Sequence, residues 1–326
     1  MPSEAARVAD PQPSEVAGES AGQVARRLFH ACRPKFFPAS VLPVLAGTAW
    51  GVQAAGSLDL LAFLLALVAT VCVHAGANVI NDVGDESGGT DRQNTDRIYP
   101  YTGGSRFIQT GIMDASAMAR LGTSLLAVAA IAGLLLILMK GTVVLAFGLA
   151  GVLLAVLYSI GPVRLASVGV GETAIFIAFG VLPVTGAAWL QSGQLDVSSL
   201  IFSVPIGAWV AAILLINEVP DIAADSATGK RTLPVRFGLG GTALIYIALN
   251  LAALAAVVQL AMTGALPLLA PLLPVGLVLL AAKSSAAIRR GIADRDAMTK
   301  AIESTLAIHT LGSIWLTGVA IYLAIR

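Results

Sequence analysis

The chain has 326 residues, 57% of them hydrophobic and only 12% charged, with a net charge of +1. A mean hydropathy of +0.84 excludes an ordinary soluble domain, and the near-neutral balance gives no general case for nucleic acid as a partner. Cys32 and Cys72 support no disulfide framework.

Residues 1–24, rich in Ala, Ser, Glu and Pro, lack the apolar core of a signal peptide and are expected to form a disordered tail. Residues 25–326 read as a single transmembrane domain. Apolar runs near 36–58, 60–81, 121–139, 141–163, 173–195, 197–217 and 304–325 approach the roughly 20 residues a helix needs to cross a bilayer core. Residues 237–282 carry no charge, are too long for one span, and divide at Thr263-Gly264-Ala265. The expectation is an all-α, polytopic membrane protein of nine transmembrane helices, because a helix satisfies its own backbone in lipid.

Of the 20 Lys and Arg, 18 fall in the N-terminal tail or after the second, fourth, sixth and eighth spans, and only Lys140 and Arg326 lie on the other side. The positive-inside rule then places the N-terminus and those loops in the cytoplasm.

Five acids, Asp82, Asp85, Glu86, Asp91 and Asp96, crowd the end of the second span in NDVGDESGGTD and just beyond it. A related segment, NEVPDIAADSATGKRTL, follows the sixth span. Both read Asn, acid, two residues, Asp, with a further Asp, a Gly and a cation beyond. The recurrence four spans apart predicts a four-helix unit used twice plus one final helix. Residues four apart share a helical face, so Asn81 and Asp85 form one ladder of oxygen ligands, and Asn217, Asp221 and Asp225 a second. Facing ladders repel unless cations sit between them, and Mg2+ suits oxygen ligands that bridge to phosphate. The acids could instead belong to solvated loops, but matched clusters at equivalent helix ends argue against that. The EF-hand and phosphate-loop patterns do not fit.

Thr102-Gly103-Gly104-Ser105-Arg106 offers flexible backbone N–H groups and a cation, an anion-binding combination. Lys230, Arg231, Arg33, Lys35, Arg164 and Tyr158 add groups suited to a diphosphate, although each alone reads as a membrane-interface anchor. A secondary transporter would place ionisable groups near the midplane, where the spans are almost clean; Glu172 sits at a boundary and His309 is the main polar exception. A structural membrane protein needs no ladders. The Asp-Gly-x-x-Ala-Arg run of phosphatidyl-alcohol transferases is absent.

Residues 33 to 325 resemble the UbiA superfamily of intramembrane prenyltransferases. The resemblance rests on RPKFFPASVLPVLAG, NDVGDESGGTD, LYSIGPVRL followed by GVGETAIF, and NEVPDIAADSATGKRTLPVRFG. The GTD ending, TGGSRFIQTG and GKRTLPVRFG are most similar to 1,4-dihydroxy-2-naphthoate polyprenyltransferases of menaquinone synthesis. Glu218 and Pro220 stand where many of those enzymes have Asn and Arg. The resemblance implies nine helices around a central cavity, and a polyprenyl diphosphate and an aromatic acceptor as partners in the bilayer. Mg2+ would be held by Asn81, Asp85, Asp91, Asn217, Asp221 and Asp225, with Asp82 and Glu218 assisting. Arg106, Ser105, Lys230 and Arg231 would bind the diphosphate and Tyr158 would hydrogen-bond to it. Asp85, Asp221, Asp225, Lys230 and Tyr158 would thus carry the catalysis. The resemblance also admits 4-hydroxybenzoate, homogentisate or glycerol phosphate as acceptor.

Overall fold

The computed structural model describes Val16 and residues 18–89, 94–159 and 164–326. Among them every regular element is helical. Most of the expected tail lies outside the described residues, but its boundary moves: α1 (Ala21–Ala31) begins before residue 24. Ser20 caps it through a reciprocal pair, its Oγ accepting from Gln23 N–H at 3.4 Å and its own N–H donating to Gln23 Oε1 at 3.2 Å.

The remaining long helices are α2 (Pro38–Ala55), α3 (Leu60–Gly88), α4 (Ala115–Lys140), α5 (Val143–Ser159), α6 (Gly171–Ser192), α7 (Val197–Asn217), α9 (Leu233–Met262), α10 (Leu272–Arg290) and α11 (Arg295–Ile325). The short α8 (Ile222–Ala227) follows α7. Six described stretches are long and apolar enough to cross a membrane: α3, α4, α6, α7, α9 and a 54-residue stretch, Leu272–Ile325, that joins α10 and α11. The expectation of nine is therefore met only in part. Helix α2 has 18 residues and α5 has 17, and both fall outside the six. Between α10 and α11 a 3-10 turn at Gly291–Asp294 bends the chain without a long loop.

Helix α7 is the central post. Phe202, Ile206, Trp209, Leu215 and Ile216 are buried along it, packed with Tyr246, Ala253 and Leu260 of α9 and with Ile308 and Leu316 of α11. Outer positions such as Ile131, Leu138, Leu153 and Leu279 stay exposed, an apolar surface of the kind lipid covers. Small residues allow backbone contact inside the bundle. A Cβ on Gly47 would lie 2.2 Å from Val184 O, and one on Gly180 would lie 2.3 Å from the Gly207 Cα. Helices α2 and α7 therefore clamp α6 on two sides.

The two ends of the bundle differ. At one end Asp59 caps α3, pairs with Lys140 at 2.8 Å and donates its N–H to Gln191 Oε1 at 2.7 Å. The acidic segments, the 94–114 connection and the residue 230 loop gather at the other.

Candidate active site

Helix α3 runs beyond residue 81, where its apolar stretch ends, and carries the first acidic segment on its last turns. Asn81 Nδ2 donates to Asp85 Oδ2 at 2.8 Å, so the expected ladder forms here. Gly89, with φ +77°, ends the helix in a left-handed conformation that a side chain would strain. Asp91 lies outside the described residues. Asp82 points elsewhere: it is buried, its Oδ2 accepts from Ser105 N–H at 3.0 Å, and its Oδ1 has no hydrogen-bond partner. The Thr102–Arg106 loop thus already donates to a side chain, the Asp82 carboxyl. Arg106 is buried with its backbone left-handed at φ +66°.

The second segment departs from expectation. Asn217, Asp221 and Asp225 do not form one ladder, because α7 stops at Asn217 and a turn over Glu218–Asp221 precedes α8. Pro220 has no N–H to continue the helix and restricts the residue before it. Asp221 and Asp225 do share one helical turn, closed by Asp225 N–H to Asp221 O at 2.9 Å. Asn217 Oδ1 is buried without a partner.

Lys230 joins the two segments. Its Nζ lies 3.5 Å from Asp85 Oδ1 and 3.5 Å from Asp225 Oδ1, both side chains largely screened from solvent. The cation that separates the ladders here is the protein's own. Burial pulls the Lys230 ammonium down, but the two carboxylates outweigh it and hold its pKa above the ordinary value. Burial raises Asp225 against the pull of Lys230. Burial also pushes Asp221 up to about 6, against the hydrogen bond from Asn94.

Asn94, Tyr101 and Arg295 escaped the sequence reading. Buried Asn94 donates from Nδ2 to Asp221 Oδ1 at 2.8 Å, but a lone Asn in a polar connection carries no motif. Tyr101 Oη donates to Glu303 at 2.9 Å, and Arg295 Nη1 donates to Asp96 O at 3.0 Å, tying the 94–101 connection to α11. Glu172, in the first turn of α6, has its carboxyl within hydrogen-bonding reach of the Glu218 carboxyl. Burial and the Glu172 charge push Glu218 well up. Tyr158 stands within electrostatic reach of Glu218, Glu172, Asp85 and Asp225. The Arg231 side chain is exposed, while its N–H donates to Ser167 O at 2.7 Å.

Among the described residues no three His, Cys, Asp or Glu side chains are grouped so that they could hold a metal ion. The donor chemistry nonetheless fits a hard cation. The polar groups along the two segments are carboxylate and amide oxygens, and Asn217 Oδ1 is unsatisfied.

Residues 40–311 match the UbiA prenyltransferase family. The chain belongs to that family. This prenyltransferase is 31% identical over 290 residues to 1,4-dihydroxy-2-naphthoate octaprenyltransferase of Mycobacterium tuberculosis, covering 88% of this chain and 93% of the relative. It is 32% identical over 213 residues to UbiA prenyltransferase domain-containing protein 1 of Xenopus tropicalis, covering 64% of this chain and 59% of the relative. A UbiA homolog from Archaeoglobus fulgidus bound to GPP and Mg2+ shares the fold, with a TM-score of 0.64, 15% identity, and coverage of 90% of this chain and all 100% of that one. The apo structure of a UbiA homolog from Aeropyrum pernix K1 gives a TM-score of 0.62 at 17% identity, covering 90% of this chain and 98% of that one. The enzyme is thus a membrane-embedded prenyltransferase with several long apolar helices.

Proposed function

We propose that this enzyme transfers a polyprenyl group from a polyprenyl diphosphate to 1,4-dihydroxy-2-naphthoate. The observation that carries the reading is Lys230, equidistant at 3.5 Å from Asp85 and Asp225, which makes one polar mouth of two acidic segments at the end of an apolar bundle. The naphthoate octaprenyltransferase of M. tuberculosis supports the acceptor, and GPP with Mg2+ on the A. fulgidus homolog supports a metal-held donor.

In this reading the bundle has nine spans, two four-helix units plus one, around a central cavity. Its N-terminus and the acidic loops are cytoplasmic, as the distribution of Lys and Arg favours. Asn81, Asp85, Asp91, Asn217, Asp221 and Asp225 hold Mg2+, with Asp82 and Glu218 beside them. When bound, the metal neutralises the diphosphate and acts as a Lewis acid on the leaving group. Lys230 turns from Asp85 and Asp225 to the diphosphate, joined by Arg106, Arg231 and Ser105, and Tyr158 donates a hydrogen bond to it. The C–O bond to the prenyl carbon breaks with its electron pair on the diphosphate. A ring carbon of the acceptor attacks the resulting allylic cation and loses its carboxylate as CO2. The apolar walls keep water from quenching that cation.

The test is a product assay. Purified protein receives Mg2+, labelled geranylgeranyl diphosphate and 1,4-dihydroxy-2-naphthoate, and the lipid extract is analysed by mass. The expected product is a prenylated naphthoquinol without the carboxylate. Diphosphate release without that product would remove the naphthoate, and no metal-dependent donor consumption would remove the mechanism.

A further inference from the structure

The diphosphate chemistry leaves Arg33 and Lys35 unused. Both line a cavity of about 290 Å3 between α1, the turn at Pro34–Phe36 and the 99–107 connection. Its walls include neither Lys230 nor the acids that Lys230 touches. Arg26 and His30 of α1 line it as well, with Tyr99 and Ser105, and among the described residues no carboxylate does. Nor, among them, does any carboxylate form an ion pair with Arg26, Arg33 or Lys35.

Arg33 is held in place by a left-handed backbone, φ +56°, that a residue with a side chain seldom adopts. Its Nη2 donates to Tyr101 O at 3.2 Å, its guanidinium lies 4.9 Å from the Phe36 ring centroid, and its Nε is buried without a partner. Lys35 Nζ stands 5.0 Å from the Tyr101 ring centroid, a contact that uses its charge but none of its hydrogen-bonding protons. Three cations with donors to spare and no counter-charge suit an anion rich in oxygen acceptors, and phosphate is such an anion.

Depth and the character of α1 decide which phosphate. Ser105 on the cavity wall donates its N–H to Asp82, which stands 22 residues beyond Leu60 on α3. That rise of about 33 Å just exceeds a hydrocarbon core of about 30 Å, so the cavity lies at the level of lipid headgroups. Helix α1 is amphipathic in the way of helices that lie on a membrane: Arg26 and Arg27 adjoin Phe29, which is 53% exposed. Its far end is fixed, with Ala31 and Cys32 buried against Ala75 and Val79 of α3. A free phosphate would use the cations alone, whereas a phospholipid uses the cations and the apolar side chain together.

We propose that this cavity binds the phosphodiester of an anionic membrane phospholipid, with Arg26, Arg33 and Lys35 around the phosphate and Phe29 among the acyl chains. The bound lipid ties α1 to the 99–107 connection. The site is independent of which acceptor the enzyme prenylates.

The experiment titrates full-length enzyme in an uncharged detergent with short-chain phosphatidylglycerol and follows Tm. Saturable stabilisation is expected, and phosphatidylcholine of the same chain length or inorganic phosphate at the same concentration should give none. Arg26→Glu reverses an exposed charge and should shift the titration midpoint upward about thirtyfold, and Lys35→Gln about fivefold. Arg289→Glu, an equal change at an exposed position at the end of α10, should stay within about twofold. The KM for geranylgeranyl diphosphate in Arg26→Glu should also stay within about twofold. Equal stabilisation by phosphatidylcholine would remove the need for an anionic lipid, and equal stabilisation by inorganic phosphate would make the ligand a soluble anion. Either result overturns the inference. So does an Arg289→Glu shift as large as that of Arg26→Glu, which would mean diffuse surface charge. A donor KM that rises in step with the lipid midpoint would give the cavity to the donor and overturn it as well. Should Arg26→Glu fold poorly, Lys35→Gln decides: an unchanged midpoint there is equally fatal.

Discussion

The two acidic segments share a spacing but not a backbone. The first rides on uninterrupted helix, so Asn81 and Asp85 touch along one face. The second is cut by a turn, so Asn217 ends α7 while Asp221 stands just before α8 and Asp225 in its first turn. In the first, Asn81 holds Asp85 from within the same helix, whereas in the second Asp221 takes its hydrogen bond from Asn94, far away in the chain; Lys230 reaches Asp85 and Asp225 alike. Equal spacing gives equal chemistry only where the backbone between the residues is the same.

The largest expected effect treats the segments as equals. Asp85→Ala and Asp225→Ala should each lower turnover by about 10²–10³-fold, the scale of a lost electrostatic anchor in a transition state. Excess chelator should match them in the product assay. Activity surviving one substitution but not the other would make a single segment sufficient.

Lys230→Met sharpens the comparison, because it removes the group shared by both segments. Asp85 and Asp225 then lack their common ammonium, and Mg2+ becomes the available counter-charge. Thermal unfolding with and without Mg2+ should show a larger metal-induced rise in Tm for the variant than for wild type. An equal rise would mean that Lys230 and the metal do not compete for those carboxylates.

Asn94→Ala acts on the broken segment alone. It removes the hydrogen bond to Asp221, and the expected loss is about tenfold in kcat/KM, in line with about 1.5 kcal/mol for a bond to a charged group. Unchanged kinetics would show that the turn positions Asp221 unaided.

The smallest effect on activity lies at the opposite end. Asp196 caps α7, accepting from Ser199 N–H at 2.6 Å. Asp196→Ala should cost about 1 kcal/mol of stability and lower Tm while leaving turnover within about twofold. A large loss of turnover would couple the far end to the chemistry.

Much of this was legible before any coordinates. Uncharged apolar runs required helices, because lipid offers the backbone no other partner, and the recurring Asn-acid-x-x-Asp marked both segments and the end of the bundle they occupy. The resemblance to prenyltransferases rested on the same residues. Helix limits were less legible, because apolar length does not say where a helix continues into polar sequence, as α3 does to Gly88.

What packing decided involves residues far apart in the chain. Asn94 meets Asp221 and Lys230 meets Asp85 only because α3 and α7 end where α6 begins, with α6 and α7 pressed backbone to backbone at Gly180 and Gly207. Periodicity reports which face of a helix a residue occupies. It carries no information on which other helix that face will meet, because that choice depends on the fit of small and large side chains across the whole bundle.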